Sequence, residues 1–173
     1  MIMTITETNK KKYPYKVTFN NGNVSPIPSQ HRFLTTFVQY HGCSLVAFYI
    51  ALRFLGKKKT MGQVLRWSRR HLKDYIKGKI TIKGVSVGIN KLFKKDRATY
   101  YSSPKYDVII RALNKDSLVL LETSDPIHTN VLFKGNGDNY YNASDGKVKR
   151  VDVVKIVGRA TKSMVYKGCV IVR

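Results

Sequence analysis

A single apolar stretch from Ser44 to Leu55 constrains the fold of this chain more than any other feature. It reads SLVAFYIALRFL, and Arg53 is its one charged residue. A helix that is apolar around its whole circumference must be enclosed by other parts of a core. The stretch is shorter than the roughly 20 residues that a membrane-spanning helix needs, and Gly56 follows as a typical helix stop. We therefore expect a central buried helix from Cys43 to Leu55, and no membrane span.

The composition is that of a globular protein. The 173 residues are 43% hydrophobic and 11% aromatic, which favours a single domain with a substantial core. We expect that domain over residues 13–173, after a basic flexible tail over residues 1–12. The tail has its lysines after its few apolar residues, the reverse of a secretory signal, and this order predicts a cytoplasmic protein.

Cysteine usage agrees with that location. The chain has two cysteines, Cys43 and Cys169, which fit two free thiols in a reducing compartment better than a disulfide framework. His41 and Cys43 supply at most two ligands to a metal, and no further ligand pair has zinc spacing. The sequence therefore predicts neither a metal nor another cofactor.

Helices fill the first half of the predicted domain and strands fill the second. KYPYKVTFNNGNVSPIP predicts a short hairpin that turns at residues 20–22. Thr60 and Gln63 match a capping box that opens a second helix, expected to end near Ile76. Shorter helices are predicted around residues 86–94 and 105–114. The strand-like segments are SLVLLETS, HTNVLFKG, DNYYNAS, VKRVDVV and MVYKGCVIVR, so the chain is predicted to be an α+β protein.

The charge of the chain is strongly positive and unevenly distributed. The formal net charge is +22, and no acidic residue lies between Glu7 and Asp74. Such a surface attracts nucleic acid, acidic peptides or anionic surfaces; a solvated basic surface without a partner is the competing interpretation. Tyrosine pairs at residues 100–101 and 140–141 would suit stacking on single-stranded nucleic acid. No nucleic-acid-binding motif accompanies them, and half-buried positions on β-strands explain them better.

Cys43 is the first candidate for chemistry. A thiol acts as a nucleophile when it is ionised, and a helix N-terminus and nearby cations stabilise the thiolate. Cys43 begins the apolar helix, follows Gly42, and lies in the part of the chain that lacks acids. The alternative is a cysteine that only packs in the core, as most free cysteines do. Its position alone leaves both interpretations open.

A nucleophilic cysteine needs a general base, usually a histidine whose tautomer a third group fixes. His31 lies in a connector, and His71 belongs to an exposed basic helix. His41 is too close to Cys43 along the chain to serve easily as its base. His128 opens the predicted strand HTNVLFKG, far from the cysteine in sequence. A histidine at the start of a strand is the arrangement that thiol proteases use, which makes His128 the candidate base.

Three blocks occur in the order GCSLVAFYIALRFLG, HTNVLFKG and DNYYNASDGK. Together they resemble the papain-like peptidases that process bacteriocin leaders, the double-glycine peptidase type. That family has a Gly-Cys or Asp-Cys at the start of a helix, a histidine at the start of a later strand, and an aspartate followed by Pro-x-x-Gly after a hairpin. The similarity covers residues 37–173. It implies a papain-like cysteine peptidase fold, in which a helical half carrying the cysteine packs on an antiparallel sheet carrying the histidine.

The resemblance also implies the members of a catalytic triad. Cys43 matches the nucleophile and His128 matches the general base. Aligning the last block on Gly146 puts Asn142 where most relatives have the aspartate that orients the histidine. Asp145 is the alternative, and it would be the stronger electrostatic partner. Both stay open at this stage.

The oxyanion hole of such enzymes uses a glutamine upstream of the cysteine together with the cysteine's own backbone N–H. Gln39 is the implied donor and Gln30 the other upstream candidate, although Gln39 is nearer to Cys43 than the family spacing. The resemblance also implies a peptide or protein substrate. The basic charge of the chain predicts that this substrate is acidic. Hydrolysis and acyl transfer share one thioester chemistry, so both remain open. The other hypotheses are an inactive peptide-binding domain of the same fold and a nucleic-acid-binding protein.

Overall fold

The computed structural model describes residues 2–32, 42–76, 80–124, 127–156 and 168–173. Its helices are α1 Cys43–Phe54, α2 Met61–His71, α3 Ile82–Phe93 and α4 Tyr106–Asn114. Its strands are β1 Thr4–Glu7, β2 Tyr15–Thr18, β3 Val24–Ile27, β4 Ala98–Tyr101, β5 Leu118–Ser124, β6 Ile127–Lys134, β7 Tyr140–Ser144, β8 Lys147–Val151 and β9 Gly168–Val172. A short 3-10 turn covers Gln30–Arg32.

The described strands form two antiparallel sheets. The small sheet has the order β1-β2-β3, and the large sheet has the order β4-β9-β5-β6-β7-β8. All neighbouring pairs in both sheets are antiparallel. Helices that precede such a sheet in the chain make an α+β protein, and the predicted fold class is confirmed at that level.

The helix α1 lies at the centre of the core. Ten of its twelve residues are buried, and it contacts β3, β6, α2 and α3. The single charged residue, Arg53, turns its Nε toward the carbonyl of Val24, to which it donates a hydrogen bond of 3.1 Å. The apolar run is therefore enclosed on every side, as its composition requires.

The large sheet is covered on both faces. One face packs against α1 and α3 through residues that include Leu120, Val131 and Phe133. The opposite face packs against α4, where Leu121 and Leu132 meet the helix. Strands buried on both faces lose the alternation of apolar and polar residues, which accounts for continuous runs such as SLVLL and CVIV.

Residues 1–12 were predicted to be a flexible tail, but part of this segment is a strand of the small sheet. Thr4–Glu7 pair with β2, and the Met3 side chain is buried. The side-chain amide of Asn136 makes two hydrogen bonds of 3.1 Å to the backbone of Met3. It accepts one from the Met3 N–H and donates the other to the Met3 carbonyl. These contacts join residues far apart in the chain, so the lysine-rich local composition gave no sign of them.

The predicted hairpin and capping box are confirmed. β2 and β3 pair around Gly22, whose φ of 82° only glycine adopts easily. The Thr60 side chain accepts from the Gln63 N–H, and the Gln63 side chain accepts from the Thr60 N–H. A predicted helix around residues 105–114 corresponds to α4.

Two helix boundaries differ from the sequence prediction. The second helix ends at His71 rather than near Ile76, because Leu72 takes an extended conformation. The third helix begins at Ile82, four residues before its predicted start at Ser86. Thr81 caps it by accepting from the Gly84 N–H, and Asp74 in turn accepts hydrogen bonds from the backbone and hydroxyl of Thr81.

Strand β4 was not among the predicted strand segments, although a strand position was the favoured explanation of its tyrosine pair. It forms the edge of the large sheet beside β9, and it contains Tyr100 and Tyr101, both half-buried. None of the helices in the described ranges has the length and apolar character needed to cross a membrane.

The close approach of α3 to α1 can be tested at Gly88. A Cβ atom at this position would lie 2.8 Å from Cζ of Phe48, so Gly88→Ala forces the two helices apart. We expect it to lower the free energy of unfolding by about 1–3 kcal/mol, measured by urea denaturation. Gly62 in α2 is the matched control, because its Cβ would have only the Arg66 guanidinium nearby, at 3.7 Å. Gly62→Ala should raise stability by up to about 1 kcal/mol; equal effects of the two substitutions would contradict the packing argument.

Candidate active site

Cys43 is the first residue of α1. Gly42 precedes it as N-cap, and no side chain caps the helix. The first intrahelical hydrogen bond runs from the Val46 N–H to the Gly42 carbonyl at 2.9 Å, so the N–H groups of the first turn have no acceptor within the helix. No acidic residue lies in that turn. The helix therefore offers its partial positive charge to the Cys43 sulfur.

His128 is brought to this helix end by the large sheet. It lies near the start of β6, where it pairs with Thr123 of β5, and β6 packs against α1. The His128 side chain lies near enough to the Cys43 thiol to lower its pKa. The other described histidines are engaged elsewhere: His31 pairs with Asp145, and the ring of His71 packs on Trp67 with centroids 4.9 Å apart.

The surroundings of Cys43 favour its thiolate. Burial raises the pKa of the thiol, but the polar groups of His128 and Thr129 near the sulfur, together with the charge of His128, outweigh burial and lower the pKa below its usual range. Cys169 shows the opposite effect, because burial alone raises its pKa to about 12. Of the two free cysteines, Cys43 is therefore the one whose surroundings favour the thiolate.

Thr129 is a site residue that the sequence analysis missed. Its side chain is 2% exposed, and among the described residues no group meets the distance and angle of a hydrogen bond with its hydroxyl. Both its backbone and its hydroxyl contribute to lowering the pKa of the Cys43 thiol. Adjacency to His128 was the only signal in the sequence, and one neighbouring threonine is too common to be singled out.

Ser144, the last residue of β7, is the second residue that the sequence analysis missed. A hydrogen bond joins its Oγ to Nε2 of His128. The register explains the contact, because β6 and β7 pair with Leu132 opposite Asn142. Continuing that register by two residues puts Ser144 opposite Asn130, so Ser144 lies diagonally across from His128, within reach of its side chain.

Among the described residues, no hydrogen bond or ion pair joins His128 to either of the two residues predicted as the third member of the triad. Asn142 is used within the sheet: its Oδ1 accepts from the Val131 N–H at 3.1 Å, and its Nδ2 donates to Asn130 at 2.7 Å. Asp145 forms an ion pair of 3.0 Å with Nε2 of His31. Ser144, two positions after Asn142, is the residue that hydrogen-bonds to the His128 ring.

Gln39 and Gln30 are the two glutamines predicted as candidate donors to an oxyanion hole. Gln39 lies outside the described residues. Gln30 is buried in the 3-10 turn. At the helix end itself, the backbone N–H of Cys43 is a donor without an intrahelical acceptor. The described residues contain no cluster of three His, Cys, Asp or Glu side chains that could hold a metal ion.

The arrangement combines a thiol of lowered pKa, a histidine beside it, and a hydroxyl that is hydrogen-bonded to Nε2 of that histidine. Such a set can carry out nucleophilic attack with proton transfer. No protein-family model and no curated protein matches this chain. Function is therefore argued from the geometry of Cys43, His128 and Ser144.

Alkylation with iodoacetamide tests the state of Cys43. Its lowered pKa means that the thiolate persists at pH values where an ordinary thiol, with a pKa of about 8.5, is protonated. We expect the pH midpoint for labelling of Cys43 to lie below that of an ordinary thiol and folded Cys169 to stay unlabelled, as followed by mass spectrometry of tryptic peptides. His128→Ala should move the midpoint of labelling to higher pH. A midpoint near 8.5 in both proteins would contradict the interaction between Cys43 and His128.

Proposed function

We propose that this chain is a cysteine peptidase of papain-like fold, in which Cys43 is the nucleophile and His128 the general base. The observation that supports the proposal is the meeting of Cys43, at the N-terminus of a buried helix, with His128 on an inner strand of an antiparallel sheet. The similarity of the three sequence blocks to bacteriocin-leader-processing peptidases supports the same assignment independently of that contact.

The reaction follows from the chemistry of the two side chains. The Cys43 thiolate attacks a peptide carbonyl carbon, and the negative charge that develops on the oxygen faces the N–H groups at the start of α1. Imidazolium at His128 then gives its proton to the leaving amine, which leaves an acyl group on sulfur as a thioester. His128 next takes a proton from water, the hydroxide attacks the thioester, and the carboxylic acid leaves while Cys43 is regenerated.

We propose an acidic substrate because no acidic side chain among the described residues neutralises the exposed arginines of the helical half. Arg66, Arg69 and Arg70 are exposed on α2. The nearest acid along the chain, Asp74, is occupied with capping Thr81. This arginine face would attract peptides that carry carboxylates, chiefly by raising their rate of encounter.

A binding-only protein of the same fold is the second candidate function. Ser144 stands beside His128 where the family resemblance implies a carboxylate or an amide, and a hydroxyl holds an imidazolium less strongly. A nucleic-acid-binding function is less well supported. Tyr141 stacks on Phe133 with ring centroids 5.9 Å apart, and Tyr140 donates to Asn114 at 2.8 Å, so these rings are already used within the protein. A cytoplasmic location stays a prediction, with which two free thiols agree.

Substitution of the nucleophile and the base tests the peptidase assignment. Cys43→Ala and His128→Ala should each lower cleavage by about 10⁴-fold or more, since residues of such a unit act together. The substrate is a proteome-derived peptide library, with new termini identified by mass spectrometry, and circular dichroism checks that each variant folds. Cleavage that survives in Cys43→Ala would overturn the assignment. Peptide binding without cleavage by the unsubstituted protein would favour the binding-only alternative.

Charge reversal tests the acidic-substrate proposal. The triple substitution of Arg66, Arg69 and Arg70 to Glu should raise KM for acidic peptides, leave kcat within about two-fold, and flatten the dependence of kcat/KM on salt. Lys10, Lys11 and Lys12 are exposed on another part of the surface, and their reversal changes the net charge by the same amount. An equal rise in KM in this control would mean that overall charge, not the arginine face, attracts the substrate.

A further inference from the structure

The residue beside His128 is a neutral hydroxyl, not the carboxylate or amide that the sequence led us to expect. We infer that Ser144 is the positioning residue that orients the His128 imidazole toward Cys43. The inference rests on the proposed function for its meaning in catalysis, and on the contact between His128 Nε2 and Ser144 Oγ for its geometry.

Contact through Nε2 decides which ring nitrogen serves the thiol. With Nε2 engaged by Ser144, Nδ1 is the nitrogen left to accept the thiol proton. In the thiolate–imidazolium pair both nitrogens carry hydrogen, and Nε2–H donates to the hydroxyl oxygen. This hydrogen bond holds the ring in one rotamer without adding a formal charge, so it orients His128 but stabilises imidazolium less than a carboxylate would.

The turn after β7 keeps the neighbouring carboxylate away from the site. Asp145 and Gly146 have φ values of 49° and 69°, the left-handed pair of a two-residue hairpin turn. A Cβ on Gly146 would lie 2.7 Å from Cβ of Ser29, so the turn is pressed against the chain before the 3-10 turn. In this conformation the Asp145 carboxylate reaches His31, and Ser144 is left to meet His128.

Few charges face the imidazole from the elements around it. On α1 the group in contact is Cys43 itself, and on β5 the Thr123 hydroxyl donates to the His128 carbonyl at 3.3 Å. Glu122 on β5 is buried and lies opposite Thr129 rather than His128. Lys147 on β8 is exposed and lies opposite Ser144.

A series of substitutions at Ser144 tests the inference through the pH profile of kcat/KM. Ser144→Ala should lower kcat by ~10- to 100-fold with little change in KM, because the base is no longer held in place. It should also narrow the bell-shaped dependence of kcat/KM on pH: the acidic limb should move to higher pH and the alkaline limb to lower pH. Ser144→Asn should recover most of kcat. Ser144→Asp should widen the profile, since a carboxylate favours imidazolium and, through it, the thiolate.

The rival residue is tested in parallel. If Asp145→Asn shifts the limbs of the profile and Ser144→Ala does not, Asp145 is the positioning residue and the inference is wrong. Thermal unfolding of each variant separates loss of orientation from loss of the fold. A Ser144→Ala protein that keeps its Tm and its pH profile would likewise overturn the inference.

Alkylation distinguishes failure of the inference from failure of the proposed function. The rate of Cys43 labelling by iodoacetamide does not require a substrate, and in Ser144→Ala its midpoint should move to higher pH. If this shift occurs in a protein that cleaves no peptide, Ser144 still positions His128 and the peptidase assignment fails. If peptides are cleaved but neither labelling nor the profile changes in Ser144→Ala, the peptidase assignment stands and the inference fails.

Discussion

Burial of α1 is the constraint on which the rest of the structure depends, because a helix with apolar side chains on all sides is stable only when sheet and helices enclose it. The enclosure holds the N-terminus of α1 against β6. Cys43 and the first-turn N–H groups are thereby fixed near the start of that strand, where His128 and Thr129 lie. Core packing, which supplies the stability of the domain, also determines the geometry of the candidate site.

The reactivity of Cys43 depends on a balance between burial and hydrogen bonding. Removing a thiol from water disfavours its ionised form, and at Cys169 nothing opposes that effect. At Cys43 the contacts to His128 and Thr129 reverse the outcome. The same protein therefore contains one thiol whose pKa is raised and one whose pKa is lowered, and the difference comes from what lies beside each sulfur.

The positive charge of the chain has a structural counterpart in how its few acids are used. Three ion pairs join described residues, His31–Asp145, Arg111–Asp107 and Lys134–Asp138. Asp74 serves as a capping acceptor for Thr81. With 32 lysines and arginines against 10 acids, most cations remain unopposed. A surface of this kind steers anionic partners toward the protein without specifying the fold.

The sequence by itself determined the features that depend on near neighbours or on composition: the buried helix, the turn at Gly22, the capping box, the α+β class, and Cys43 and His128 as the pair to test. The sequence did not determine which residue contacts Nε2 of the His128 imidazole as the third member of the candidate site. Residues 142, 144 and 145 differ by one or two positions, and which of them meets His128 depends on the β6–β7 register and on the turn at Asp145 and Gly146. A shift of one residue in a strand reverses the face of every side chain. Only the tertiary structure, through pairing across the sheet and packing of that turn on Ser29, decided for Ser144.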